Sequence, residues 1–188
     1  MLVIRELTYG PRRFSELRAD LPGISANVLT QRLAELEERG LVRKLRLPPP
    51  ASVQVYEATD WALEAAPVIG MLGRWAARSP RHDPTLPLSH AAIMMSMQTM
   101  LDRAKGHGLE GRFGFRFGAT SYAATLRNCE LTVERGPVEG CDPVFTCSPE
   151  ELAAVLYGGA PLDTIGVEGD RSLAERYVTL FPLPPKVA

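Results

Sequence analysis

The chain has 188 residues, a formal net charge of −1, 45% hydrophobic residues and 23% charged residues. This length allows one ample core or two small ones, and the charge excludes a protein that is basic throughout. No apolar run approaches the roughly 18 residues of a membrane-spanning helix. The odd set of three cysteines, with no C-x-x-C pair and no signal peptide, indicates a reducing cytoplasm.

The two ends of the chain differ in charge. Residues 1–50 carry nine Arg or Lys against six Asp or Glu, whereas residues 79–188 carry ten against thirteen. A basic front part and an acidic rear part favour contact with DNA through the front part alone.

The first nine residues are predicted to form the second half of a helix, because no capping residue precedes them. We therefore expect the N-terminal domain to be shortened, either through a start codon assigned too late or by a natural loss.

Two helices joined by a tight turn follow. Residues 14–21 form a short amphipathic helix, and residues 22–24 (Pro-Gly-Ile) connect it to a second helix over 25–39. In the second helix Leu29, Leu33 and Leu36 share one stripe. Ser25 is the expected N-cap and Gly40 the expected stop. This is the pattern of a helix-turn-helix.

The second helix turns small polar side chains away from its leucines. Side chains of this kind can hydrogen-bond base edges in a major groove, which admits a helix. The candidates for base contact are Ser25, Asn27, Thr30 and Gln31. A small α+β domain whose helix has only a solvated polar face remains the alternative.

A basic β-hairpin comes next. Residues 41–47 alternate apolar and basic side chains, residues 48–52 break the strand, and residues 53–57 return along it. Helices followed by such a hairpin form a winged helix-turn-helix. Several basic side chains around it are candidates for phosphate contact, with ordinary surface charge as the alternative: Arg12, Arg13, Arg32, Lys44 and Arg46.

Five sequence blocks in this region occur in the order typical of one family: residues 4–7, 10–17, 22–25, 29–33 and 36–42. They closely resemble the HxlR-type transcriptional regulators of bacteria, which are MarR-like winged-helix proteins. The resemblance implies a homodimer on double-stranded operator DNA. It also implies that the helix beginning at Ser25 enters the major groove while the hairpin touches the backbone or minor groove.

Residues 59–78 are predicted to form one long helix, kinked at Pro67. A near-heptad seam runs along it through Trp61, Ala65, Val68, Leu72 and Trp75. The spacing suits a dimer partner and an intramolecular core equally, and the resemblance favours the dimer. The proline-rich segment 79–87 is predicted to be a linker, so the first domain spans 1–78 and the second 88–188.

The second domain begins with a Met-rich helix over 88–104, which either lines a ligand cavity or packs in a core. Strands are predicted at 111–117, 122–126, 130–134, 144–147 and 165–167, and helices at 149–156 and 172–180. The strand 111–117 places Phe113, Phe115 and Phe117 on one face.

Three motifs of the second domain, at 156–159 (L-Y-G-G), 167–170 (V-E-G-D) and 181–184 (F-P-L-P), resemble the sterol carrier protein type-2-like fold. That resemblance implies an α/β sandwich around an apolar tunnel for lipids or similar molecules. The segment 159–167 is shorter than in the family, which would open or shrink the tunnel. The candidate lining residues are Met94, Met97, Phe113, Phe115 and Phe117.

The expected fold class is therefore α+β, a winged helix-turn-helix followed by a sterol-carrier-like domain. No nucleophile with a partner base, no paired catalytic carboxylates and no metal-ligand spacing is present, so we expect neither an enzyme nor a cofactor. The first hypothesis is a DNA-binding repressor controlled by an apolar ligand. The alternative is a small-molecule carrier whose shortened front part no longer binds DNA.

Overall fold

Three helices and a hairpin open the chain in the computed structural model, which describes residues 1–187. The helices are α1 (Leu2–Leu7), α2 (Phe14–Asp20) and α3 (Ala26–Glu38), and the hairpin strands are β1 (Val42–Arg46) and β2 (Gln54–Ala58). β1 and β2 pair antiparallel, with Leu45 opposite Val55. This order of elements confirms the predicted winged helix-turn-helix.

The sequence prediction of one helix over 59–78 is wrong. The structure has two helices there, α4 (Asp60–Leu63) and α5 (Ala66–Ala76). Pro67 lies in the first turn of α5. A proline has no N–H to donate and collides with the carbonyl four residues earlier, so it is tolerated in a first turn and breaks a helix interior.

The chain divides into two compact units, residues 1–69 and the part from Gly70 onward. The division falls within α5 and not in the proline-rich segment 79–87, where the sequence places it. The second half of α5 packs within the second unit, because a side chain at Gly70 would collide with the Thr99 hydroxyl and Arg74 donates to the sulfur of Met100 at 3.4 Å.

The second unit is built on a five-stranded mixed sheet. Its strands are β3 (Gly111–Phe117), β4 (Thr120–Arg127), β5 (Glu130–Arg135), β6 (Val144–Thr146) and β7 (Gly166–Glu168), in the order β5-β4-β3-β6-β7. β3 pairs with β6 in parallel and the other neighbours are antiparallel. The helices are α6 (His90–Met100), α7 (Pro149–Gly158) and α8 (Arg171–Val178), with one 3₁₀ turn at Leu162–Thr164.

Aromatic rings fill the interior of the second unit. Phe113 stacks on Tyr177 with ring centroids 3.7 Å apart, and Phe115 stacks on Phe145 at 5.2 Å. Phe181 meets Tyr177 edge to face at 5.1 Å. All five side chains are at most 1% exposed. The inward alternation predicted along β3 is therefore confirmed, and it is completed by residues of α8 and the chain beyond it.

Within residues 1–187, none of the helices combines the length and the apolar character that crossing a bilayer requires.

The two helical glycines of α5 give a matched test of the contact between α5 and α6. Gly70→Ala is expected to lower the free energy of unfolding by about 1–2 kcal/mol, because Thr99 must give up its hydrogen bond to the Met95 carbonyl or the helices must separate. Gly73→Ala meets no atom within 4 Å among the described residues and should raise it by about 0.5–1 kcal/mol.

Urea unfolding followed by circular dichroism measures both variants. The double variant Gly70→Ala/Thr99→Ala should match Thr99→Ala alone in stability. Equal effects of the two alanines would contradict the close approach of the helices.

Candidate nucleic-acid interface

α3 has one buried side and one exposed side. Leu29 and Leu33 are at most 1% exposed and belong to the core of the first unit. The Ser25 hydroxyl accepts a hydrogen bond from the Val28 N–H at 3.2 Å and caps the helix. The chain leaves the helix through Gly40 at a φ of +71°, a left-handed conformation that suits glycine.

The four predicted base-contact residues lie on or beside the exposed side. Ser25, Asn27, Thr30 and Gln31 are all exposed, as their spacing predicts. In a 13-residue helix about 20 Å long, they occupy the N-terminal half. The structure thus brings together side chains able to donate and accept hydrogen bonds where the recognition helix of a helix-turn-helix protein contacts bases.

Gln31 is held by a neighbour that also holds Arg32. The Gln31 amide donates to one Glu35 carboxylate oxygen at 3.1 Å, and the Arg32 guanidinium donates to the other at 2.7 Å. The Arg32 hydrogen bond is the main cause that holds the pKa of Glu35 below its usual value. Glu35 therefore orients the Gln31 amide and neutralises part of the charge of Arg32.

Val28 is a residue of this surface that the sequence analysis missed. It is 46% exposed and lies in the first turn of α3, next to Asn27. Its position one residue before the buried Leu29 was the available signal, since it falls outside the leucine stripe.

Arg12 requires a correction. The sequence makes it a candidate for phosphate contact, but its side chain is only 6% exposed and pairs with Asp20 and, at 3.5 Å, with Glu16. Its backbone also pairs with Tyr56 of β2, through two hydrogen bonds of 2.8 and 2.9 Å. Arg12 ties the start of the helix-turn-helix to the hairpin, and a buried, paired guanidinium does not reach a phosphate.

The remaining basic candidates are on the surface. Arg13 precedes α2 and is exposed, and its backbone N–H donates to Glu16 at 2.8 Å. Arg46 is exposed at the end of β1. Neither side chain forms an ion pair among the described residues. Arg13 and Arg46 therefore carry the charges most available to a phosphate.

Lys44 is already paired. Its ammonium group binds the Glu37 carboxylate near the end of α3, and this hydrogen bond is the main cause of a raised Lys44 pKa. The pair is exposed, so water screens it and a phosphate can compete with Glu37 for Lys44.

The hairpin forms an open hollow of about 420 Å³ beside these cations, and it is lined by Lys44, Leu45, Arg46, Ser52 and Gln54. Ser52 and Gln54 were not predicted. Both can donate to a phosphate oxygen, as hydroxyl and amide groups commonly do at DNA backbones. Their signal in the sequence is their place at the start of the returning strand, opposite Arg46.

Known proteins match this first part of the chain. Residues 1–83 match the HxlR-like helix-turn-helix family. The HTH-type transcriptional regulator YvaP of Bacillus subtilis, itself uncharacterized, is 39% identical over 75 residues, which are 40% of this chain and 69% of YvaP. The chain belongs to the HxlR-like family. It is accordingly a helix-turn-helix transcriptional regulator by family.

Two solved structures are also similar. The reduced form of the transcriptional regulator YodB from B. subtilis is 31% identical, with a TM-score of 0.39, over 44% of this chain and 81% of YodB. The UbiJ-SCP2 ubiquinone synthesis protein is 16% identical, with a TM-score of 0.37, over 66% of this chain and 93% of that protein.

The five predicted ligand-contact residues lie in the second unit of this HxlR-like protein. Met94, Met97, Phe113 and Phe115 are 0% exposed and Phe117 is 3% exposed. The rings of Tyr177 and Phe145 occupy the space beside Phe113 and Phe115. A ligand at these four fully buried side chains would have to displace core side chains.

Phe117 alone among the five lines a hollow open to solvent. This hollow has a volume of about 460 Å³, and its other lining residues are His90, Gly118, Thr146, Cys147, Ser148 and Pro149. His90 stacks on Phe117 with ring centroids 5.3 Å apart. Burial raises the pKa of Cys147 to about 12, so its thiolate is scarce at neutral pH. The hollow is a surface for contact and not a centre for nucleophilic chemistry.

Across residues 1–187, no group of three or more His, Cys, Asp or Glu side chains is arranged to hold a metal ion.

The neighbours Arg12 and Arg13 give a test of the two roles. Arg12→Ala is expected to lower the free energy of unfolding by about 2–3 kcal/mol, because it leaves the Asp20 carboxylate, 12% exposed, without its cation. Arg13→Ala should leave stability unchanged within about 0.5 kcal/mol and reduce the slope of log K against log salt for duplex binding by about 1.

Thermal unfolding and fluorescence anisotropy at several salt concentrations measure the two quantities. A stable Arg12→Ala protein that binds DNA with a reduced salt slope would restore Arg12 to the phosphate contacts.

Proposed function

We propose that this protein binds operator DNA as a repressor, with α3 in the major groove and the hairpin against the backbone. The observation that carries the proposal is the division of α3 into a buried leucine side and an exposed side with Asn27, Thr30 and Gln31. The major groove, about 12 Å wide, accepts a helix presented in this way. The hairpin places Lys44 and Arg46 on the surface of the same unit, where phosphate contacts would fix the orientation of α3.

Duplex DNA from upstream of the gene tests the proposal directly. We expect binding by fluorescence anisotropy to weaken steeply with salt, since phosphate contacts release counterions. Gln31→Ala should relax discrimination at one base pair by about 1–3 kcal/mol. The reference is the same variant on a scrambled duplex of equal length.

An equal loss on operator and scrambled duplexes would make Gln31 a backbone contact. Binding to no duplex, even at low salt, would favour the alternative of a small-molecule carrier.

We further propose that the protein acts as a homodimer through α5. The near-heptad spacing leaves a dimer seam and an internal core equally open, and three of its five residues, Val68, Leu72 and Trp75, are 62%, 48% and 70% exposed. Met71, at 59%, adds to the same helix surface. A contiguous apolar stripe of this size on a water-facing helix is typical of an interaction site. Two copies would also supply the second reading helix that a symmetric operator requires.

Trp75→Glu tests the dimer. A carboxylate in the centre of an apolar interface is desolvated without a partner, so we expect the variant to be monomeric at concentrations where the parent protein is a dimer. Leu86→Glu is the matched control, because Leu86 is 63% exposed but lies in the proline-rich segment outside the stripe. Sedimentation equilibrium measures the mass of each. A dimeric Trp75→Glu protein would exclude α5 as the interface.

Control by an apolar ligand is the remaining part of the proposal. The hollow beside Phe117 supports it as a place of first contact, while the filled interior requires that the second unit rearrange to take up a ligand more deeply. A ligand regulates operator binding only if it has different affinities for the DNA-binding and the free states. The anisotropy assay repeated with palmitate decides whether a lipid-like molecule has this effect.

A further inference from the structure

One side chain of the reading surface is apolar. Val28 is 46% exposed although its neighbour Leu29 is fully buried, so packing within the chain does not account for the place of its two methyl groups. The Val28 N–H is satisfied by the Ser25 hydroxyl at 3.2 Å, and this cap fixes the first turn of α3. The side chain is therefore presented from a rigid backbone.

The neighbours of Val28 are the polar base-contact candidates. Asn27 precedes it, and Gln31, three residues later, lies one helical turn further along the same surface. An isolated exposed valine elsewhere on a protein would need no explanation. Here it lies among side chains proposed to face base edges, in the part of a recognition helix that enters the groove first.

The major groove offers one apolar group, the 5-methyl of thymine. Valine suits this group for two reasons. Its methyls exclude water from the thymine methyl, which hydrogen-bonding side chains of similar size do less well. Because it is β-branched, its χ1 rotamer in a helix is already fixed, so little side-chain entropy is lost on contact.

We propose that Val28 reads the 5-methyl group of a thymine in the operator, beside the base pair contacted by Asn27 or Gln31. This inference rests on the proposed function, since it requires α3 to lie in the major groove. It adds a preference for thymine that hydrogen bonding alone does not supply.

Single-atom changes in the DNA test the inference with the full-length protein. An operator found by footprinting the gene's upstream DNA is synthesised with each thymine in turn replaced by deoxyuridine, which removes only the methyl group. At one position, or two related by symmetry, the dissociation constant of the parent protein should rise about fourfold, the equivalent of one buried CH₂ group. All other replacements should leave it unchanged.

Val28→Ala completes the cycle. This variant should bind the thymine operator about fourfold more weakly than the parent and should no longer distinguish thymine from deoxyuridine at that position. Gln31→Ala, the matched control on the same surface, should keep the distinction. Alanine favours helix more than valine does, so the variant should retain its fold, which circular dichroism checks.

The outcomes separate this inference from the function on which it rests. Salt-dependent operator binding with no response to any deoxyuridine, or with the same response in Val28→Ala as in the parent, overturns the role of Val28 and leaves DNA binding intact. Absence of salt-dependent binding to any duplex overturns both.

Discussion

The burial of Leu29 and Leu33 is the constraint on which the candidate interface depends. With these two side chains inside, every residue half a turn away on α3 must face water, whatever its chemistry. The cap at Ser25 and the left-handed Gly40 fix where the helix begins and ends, so the exposed side chains have defined positions along it. Loss of the leucine contacts would release the helix before it altered any single polar group.

A second constraint joins that helix to the hairpin. The Arg12 side chain holds Asp20 at the end of α2, while the Arg12 backbone pairs with Tyr56 in β2. One residue thus links the first helix of the motif to the strand that carries the hairpin. Such a link keeps the hairpin cations at a fixed distance from α3, which matters because phosphate contacts position a reading helix only if both belong to one rigid unit.

Local patterns predicted most of the secondary structure, because each element's own spacing carries the information. The leucine stripe of α3 and the alternating phenylalanines of β3 are examples. Contacts distant in sequence were out of reach. Nothing near Arg12 indicates that it is buried against a strand more than 40 residues later, and nothing near Phe113 indicates that Tyr177 stacks on it. The interface candidates were therefore mostly identified, whereas the closed interior of the second unit was not.

Ion pairs on the candidate interface shape how it would distinguish DNA sequences. Arg32 and Lys44 already bind Glu35 and Glu37, and exposed pairs of this kind contribute only about 0–1 kcal/mol each, so a phosphate can replace either carboxylate at little cost. The displaced carboxylates would remain near the DNA and repel its backbone. Their repulsion acts on every sequence alike and lowers non-specific affinity, whereas base contacts by α3 are gained only at the operator. A surface with paired cations therefore gives up total affinity and raises the ratio of specific to non-specific binding, the quantity that decides occupancy in a genome.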